Sequence, residues 1–308
     1  MPRLYKSDDI ADAIMADFET APIPELHKVM FRWVEKFTRR SWEMTPADIE
    51  TLRDAGVEEA EIVDWAQVAA LQTWWVMQAD GGGIPLEGDA VTGTVVGHER
   101  DWYHAADAEL TASAPSQPLA IRGASVDTLC WVETQHSDEF EDQAQDARDR
   151  WGFVPNLFTA VSLKPDILPR HQLGLELLEA PHSTSLSARQ HGMVRALTTS
   201  LNHAPYSRDT AREQLRRTGA PDDLFDKVTD DYTQHDWSPG DRAVLDFASK
   251  MAANAYKVWE ADAQSFRDSG LDDEAYLEVL EVVSIQSSLD RLTNSLGVVP
   301  DGQPILSG

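Results

Sequence analysis

Cysteine is nearly absent from this chain of 308 residues; the one thiol is Cys130. A single thiol excludes an intrachain disulfide, a CxxC redox pair and any zinc site built from several cysteines. Its setting, TLCWVE, is apolar, which predicts a buried, inert side chain. Lysine is scarce as well, and bases total 26 against 53 acids, a formal net charge of -27. Such a field repels nucleic acid and anionic membranes, both of which need basic patches, so neither is expected as a partner. No apolar run approaches the roughly 18 residues that span a bilayer. The opening stretch, MPRLYKSDDIADAIMADF, has acids where a signal peptide carries its apolar segment. A soluble cytoplasmic protein is expected. Phosphate-binding and hydrolase motifs are missing too. The GGG at 81–83 lacks both the preceding strand and the following lysine of a phosphate loop, and there is no GxSxG elbow.

What is present is helical periodicity almost throughout, so the expected class is all-α. Helical spacing or composition covers 45–55, 59–79, 141–150, 166–179, 187–202, 207–218, 240–254, 260–268 and 272–293. Helix starts are signalled by Thr45-Pro46, Ser238-Pro239 and Pro221-Asp222-Asp223, and stops by Gly56, Gly219 and Gly270. Glycine, proline and small polar residues at 81–98 and 111–125 mark connectors, with VTGTVVG the one stretch of strand character. Trp33 to Gly83 aligns without gaps on Phe247 to Gly297, a constant offset of 214 residues. Asp48, Arg53, Asp54, Gly56 and Gln72 thereby meet Asp262, Arg267, Asp268, Gly270 and Gln286. Each copy reads as a helical hairpin whose apolar faces need partners. The expected organisation is a partial repeat at 1–83, an insertion at 84–125 and a core domain at 126–308.

From about residue 126 onwards the chain resembles the carboxymuconolactone decarboxylase / alkylhydroperoxidase-D-like family, in its peroxidase-related branch. The carrying stretches are WGFVPNLF, KPDILPRHQLGLELL, SLSARQHGMVRALTTSLNHAPYS, DWSPGDRAVLDFASKM and the closing DRLTNSLGVVPDG. The resemblance implies an all-helical core and a homo-oligomer. In redox-active relatives one helix supplies a glutamate, the next opens with Cys-x-Tyr-Cys, and a histidine follows one turn later. A thiolate at a helix N-terminus is stabilised by the dipole, and carboxylate and imidazole relay its proton. The resemblance assigns the glutamate to Gly192, the cysteines to Ala204 and Ser207, and the histidine to Ala211. Tyr206 and Asn202 keep the surrounding pattern. With none of the four chemical groups present, dithiol peroxidase chemistry is not expected.

Two functions stay open: a cofactorless acid–base enzyme (decarboxylase, isomerase or lyase type) acting on a small organic acid or lactone, and a non-catalytic binding or scaffold member. For the enzyme the candidates are His203, Tyr206, His191 and Ser207. His203 is placed to act as a neutral base because a helix N-terminus lowers its pKa. The competing reading makes His203 a cap or a solvated residue and His191 a surface residue of the polar ARQH stretch. Asp209 fits a dipole-complementing acid. His171 lies on a helix that packs near the pocket in relatives. A third alternative, metal-dependent activity, rests on His98, Asp101 and His104, with Asp107 continuing their three-residue steps; acidic solvated helices produce the same pattern. No cofactor is expected. Trp65, Trp74 and Trp75 read as core or interface anchors.

Overall fold

A computed structural model of the chain describes residues 8–84, 129–179 and 185–307, and those residues form thirteen α-helices with short 3-10 turns and no strand. The first four helices are α1 (Asp8–Asp17), α2 (Glu25–Arg40), α3 (Pro46–Asp54) and α4 (Glu59–Gly81). The next group is α5 (Glu141–Trp151), α6 (Asn156–Ala160), α7 (Leu168–Glu179), α8 (Ala188–Leu201) and α9 (Pro205–Arg217). The chain closes with α10 (Leu224–Thr229), α11 (Pro239–Asn254), α12 (Glu260–Asp268) and α13 (Asp273–Leu296). No helix among the described residues is long and apolar enough to cross a membrane.

The expected punctuation is where the helices begin and end. Thr45 caps α3 with Pro46 in its first turn, and the Ser238 hydroxyl accepts from the Asp241 N–H at the head of α11. Gly56, Gly219 and Gly270 all adopt positive φ just beyond a helix end. Four helices lie outside the segments marked by periodicity: α1, α2, α6 and α10. Of these α2 is the largest, and it contributes Trp33 and Phe37 to the core.

The repeat extends further than the alignment showed. Helices α2, α3 and α4 start 214 residues before α11, α12 and α13 respectively, and the intervening 3-10 turns, Ser41–Glu43 and Ala255–Lys257, keep the same offset. The ion pairs repeat with the backbone. Lys36 Nζ reaches Asp48 at 2.8 Å, and Lys250 Nζ reaches Asp262 at 2.7 Å. Asp48 also accepts from the Thr45 N–H, as Asp262 does from the Trp259 N–H, so in each copy one carboxylate closes the helix start and holds the preceding helix. Arg53 pairs with Glu59, and Arg267 pairs with Asp273.

The two long helices of the repeat pack on each other. Gln78 donates to Ser284, Ser288 donates to the Ala70 carbonyl, and Tyr276 donates to the Gly81 carbonyl. Rising numbers on α4 meet falling numbers on α13, so the pair runs antiparallel. At the centre of the other half lies α8, packed by α9, α10, α11 and α13. Every residue from His191 to Thr199 is buried. Cys130 is buried as expected, and its burial pushes the thiol up to about 11, far from a reactive thiolate.

Candidate functional site

Two places in the fold hold the residues singled out from the sequence. The first lies between α8, α9 and α13, where the family resemblance assigns the redox groups. All four assigned positions, Gly192, Ala204, Ser207 and Ala211, are buried. Ser207 is only 2% exposed; its hydroxyl donates to Asp290 Oδ1 at 2.7 Å and accepts from Gln286 Nε2 at 2.9 Å. Gln286 Nε2 also donates to Asp290 Oδ1, and Asn202 Nδ2 donates to Asp290 Oδ2 at 3.0 Å. Three donors converge on one buried carboxylate, the arrangement that a desolvated anion requires. Burial still dominates, raising the Asp290 carboxyl to about 6 against the pull of Asn202, Ser207 and Gln286. At Gly192 a Cβ would come within 2.9 Å of the Leu215 side chain, so α8 and α9 are in close contact there.

The network continues through Arg195, which donates to Gln286 Oε1 and to Gln214 Oε1, each at 3.0 Å. Arg195 and Gln214 both also donate to the Leu178 carbonyl, at 3.3 and 2.9 Å, in the last turn of α7. His191 Nε2 donates to that same carbonyl at 3.1 Å, while its Nδ1 lies 3.3 Å from Glu278. A helix leaves its last carbonyls without partners and its C-terminus partially negative, so buried cations and N–H donors satisfy both needs. The expectation of a surface His191 is therefore corrected: it is 1% exposed, because α8 is enclosed on every side. Burial lowers Arg195 to about 10, with Asp290 opposing the change.

His203 and Tyr206 are adjacent in sequence but have separate surroundings. His203 sits in the left-handed region at φ 48°, immediately past α8. Its N–H bonds the Ser200 carbonyl and the Ala204 N–H bonds the Thr199 carbonyl, which closes the end of α8 by the two bonds of a Schellman motif. The ring packs edge-on against Trp42, with centroids 5.1 Å apart. Its pKa is lowered by burial of the ring. Tyr206 faces the other way and accepts from the Leu157 N–H at 3.3 Å. Burial raises its phenol well above the ordinary value, and Asp301 beside it adds to the rise. Asp209 is exposed, but α9 begins at Pro205 and has no acid in its first turn, so the reading of Asp209 as a first-turn acid is corrected. The metal candidates His98, Asp101 and His104, with Asp107 and the VTGTVVG stretch, lie outside the described residues.

The second place is a cavity of about 260 Å³ between α4, α7 and α13. Its walls are largely apolar, with Leu71, Trp74, Ile285, Leu289 and Leu292 among them, and Arg170 and His171 line it from α7. At 3.6 residues per turn, the α13 side chains 285, 289 and 292 project about a third of a turn away from 286 and 290. The cavity and the buried network thus occupy different faces of one helix. Arg170 Nη2 and His171 Nε2 converge on Gln67 Oε1, at 2.5 and 2.8 Å. A guanidinium only donates, so it identifies that Gln67 atom as the oxygen. His171 Nε2 must then carry its proton, leaving Nδ1 with the lone pair. Burial, reinforced by the neighbouring Arg170, pushes the His171 imidazole down to about 3. Periodicity missed Gln67, Arg195, Gln286 and Asp290; a polar SIQSSLD run inside an apolar helix was the available signal.

No family model matches this chain, and no curated protein matches it. Crystal structures that resemble it include two peroxidase-related proteins. One is an alkylhydroperoxidase AhpD core, an uncharacterized peroxidase-related protein from Ralstonia eutropha JMP134, at 23% identity and a TM-score of 0.51. The resemblance covers 57% of this chain and 95% of that one. The fold is AhpD-like. The other is an uncharacterized peroxidase-related protein from Silicibacter sp. TM1040, at 19% identity and a TM-score of 0.48, over 62% of this chain and 96% of that one. At such identities the AhpD-like likeness is one of fold. It carries no reaction with it.

Proposed function

We propose that this AhpD-like protein is a non-catalytic, thiol-independent member of its fold that binds a small, largely apolar organic molecule in the α4/α7/α13 cavity. The observation that carries this reading is the contrast between the two places. Ser207, at an assigned redox position, is sealed and committed to Asp290 and Gln286. The apolar cavity, on another face of α13, has the concave and mostly apolar form of a ligand site. A cavity of roughly 150 Å³ holds benzene, so this one has room for a substituted ring or a branched chain.

The test is a titration with benzyl alcohol followed by methyl NMR. Shifts confined to Leu71, Ile285, Leu289 and Leu292, and lost in Leu289→Trp, are expected. No binding, or shifts confined elsewhere, overturns the reading. A hydroperoxide assay with a dithiol reductant, run on wild type and Cys130→Ser, accompanies it. Turnover abolished by that substitution contradicts thiol independence.

A second reading, the cofactorless acid–base enzyme, is favoured by one observation: His171 lines the cavity, and its tautomer leaves Nδ1 with the lone pair. A general base works best with a pKa near the working pH, and an imidazole held near 3 is a weak one. Binding is therefore the first reading. Self-association has its apolar candidates in Val68, Trp75 and Val76, all exposed on α4.

A further inference from the structure

We propose that the ligand of the α4/α7/α13 cavity is a small monocarboxylic acid with an apolar body, its carboxylate received at the Arg170–Gln67 end. This rests on the binding reading above and names the chemistry it would serve.

The argument is a count of donors. Apart from its bond to Gln67, Arg170 has no acceptor and no carboxylate partner among the described residues. Arg170 is exposed, so its remaining N–H donors are open to an acid that enters the cavity from solvent. Gln67 is 4% exposed, its oxygen is taken by Arg170 and His171, and its Nε2 is buried with no partner among the described residues. A buried amide N–H without an acceptor costs about 1–3 kcal/mol, and native structures rarely leave one. Trp74 follows Gln67 by seven residues, which places both on one face of α4, and its indole N–H is likewise buried and unpartnered. His171 adds a further donor at Nε2, already used.

Arg170 and Trp74, which line the cavity, and Gln67, which is bonded to Arg170, thus offer more N–H donors than the lone pair on His171 Nδ1 can accept. A ligand that completes them brings acceptor oxygens, and a guanidinium selects a carboxylate over a neutral carbonyl through paired, charge-assisted bonds. Leu71, Ile285, Leu289 and Leu292 offer nothing to a second charge, which limits the acid to one carboxylate and an apolar remainder. Leu173, 51% exposed, lines the same cavity and marks its side open to solvent.

The experiment compares phenylacetate with phenylacetamide by isothermal titration at low salt, on wild type, Arg170→Gln and Arg170→Lys. Expected are binding of the acid at least tenfold tighter than the amide, loss of that preference in Arg170→Gln, and partial recovery in Arg170→Lys. Methyl NMR shifts at Leu71 and Leu289 must accompany binding. Equal affinity for acid and amide, or a preference unchanged in Arg170→Gln, overturns the carboxylate assignment while leaving the binding reading intact. Failure of both probes and of benzyl alcohol removes the binding reading itself. Thermal unfolding of each variant is measured alongside, and a preference lost in a variant that is unfolded at the assay temperature is decided on Arg170→Lys.

Discussion

Ser207 donates to Asp290 across 2.7 Å at a position where redox-active relatives, by resemblance, carry a cysteine. The bond joins α9 to α13 deep in the core, and Asn202 and Gln286 complete the carboxylate's set of donors. A side chain held this way is a fastener between helices.

The network makes stability depend on pH in the direction opposite to a surface carboxylate. Asp290 is raised from 3.8 to about 6 in the folded chain, so the folded state holds its proton more tightly than the unfolded state does. Its contribution is fully favourable below pH 4 and is lost as pH rises to 6, a change on the order of 3 kcal/mol. Asp290→Asn cannot ionise. The stability of that variant relative to wild type, measured by denaturant unfolding, is expected to improve by a few kcal/mol between pH 4 and pH 7. A difference independent of pH refutes the assignment.

His203 supplies a test of backbone conformation without reference to chemistry. At φ 48° glycine is unstrained and a β-branched residue is strongly disfavoured. His203→Gly loses the packing on Trp42 but relieves the backbone, so its unfolding midpoint is expected close to wild type. His203→Val is expected to lose about 1–2 kcal/mol or more. Equal effects from the two substitutions would show that the ring contact, and not the turn, decides the residue.

Gly83 and Gly297 are repeat equivalents with nearly the same φ, +64° and +63°. A Cβ at Gly83 meets nothing within 4 Å, whereas at Gly297 it falls 2.1 Å from the Trp131 ring. Gly83→Ala should cost about 1–2 kcal/mol from backbone strain alone. Gly297→Ala adds an overlap with a ring that is itself packed on the core, and is expected to cost at least 1–3 kcal/mol more. Thermal unfolding of the pair isolates the contact, and equal losses would contradict it.

Much of the fold was legible because its signals are local. Thr45-Pro46, Ser238-Pro239 and the glycines at 56, 219 and 270 act through their own backbone, so a short window identifies them. Helix α2 was missed for the same reason. It begins after Pro24 without a side-chain cap and runs straight into a 3-10 turn with no glycine to mark the end. The repeat, in turn, was visible as an offset but understated, because ion pairs such as Lys36–Asp48 depend on residues twelve apart. The site was far less legible. Polar residues on α8 and α13 look the same in a periodicity pattern whether water or a buried partner satisfies them. The competing surface reading of His191 has that origin; Arg195 and Asp290 carry no signal in the periodicity, and Gln286 is marked there only as the repeat partner of Gln72. The cavity is a property of three helices distant in sequence, so no single segment announces it.

The antiparallel contact between α4 and α13 joins two copies of one motif within a single chain. Between separate polypeptides, such a contact obeys mass action and comes apart on dilution. Here the connecting chain fixes the effective concentration of one copy around the other. The cavity walls contributed by Leu71 and Leu289 therefore come together in a first-order step, and the site they form is as complete at nanomolar protein as at millimolar.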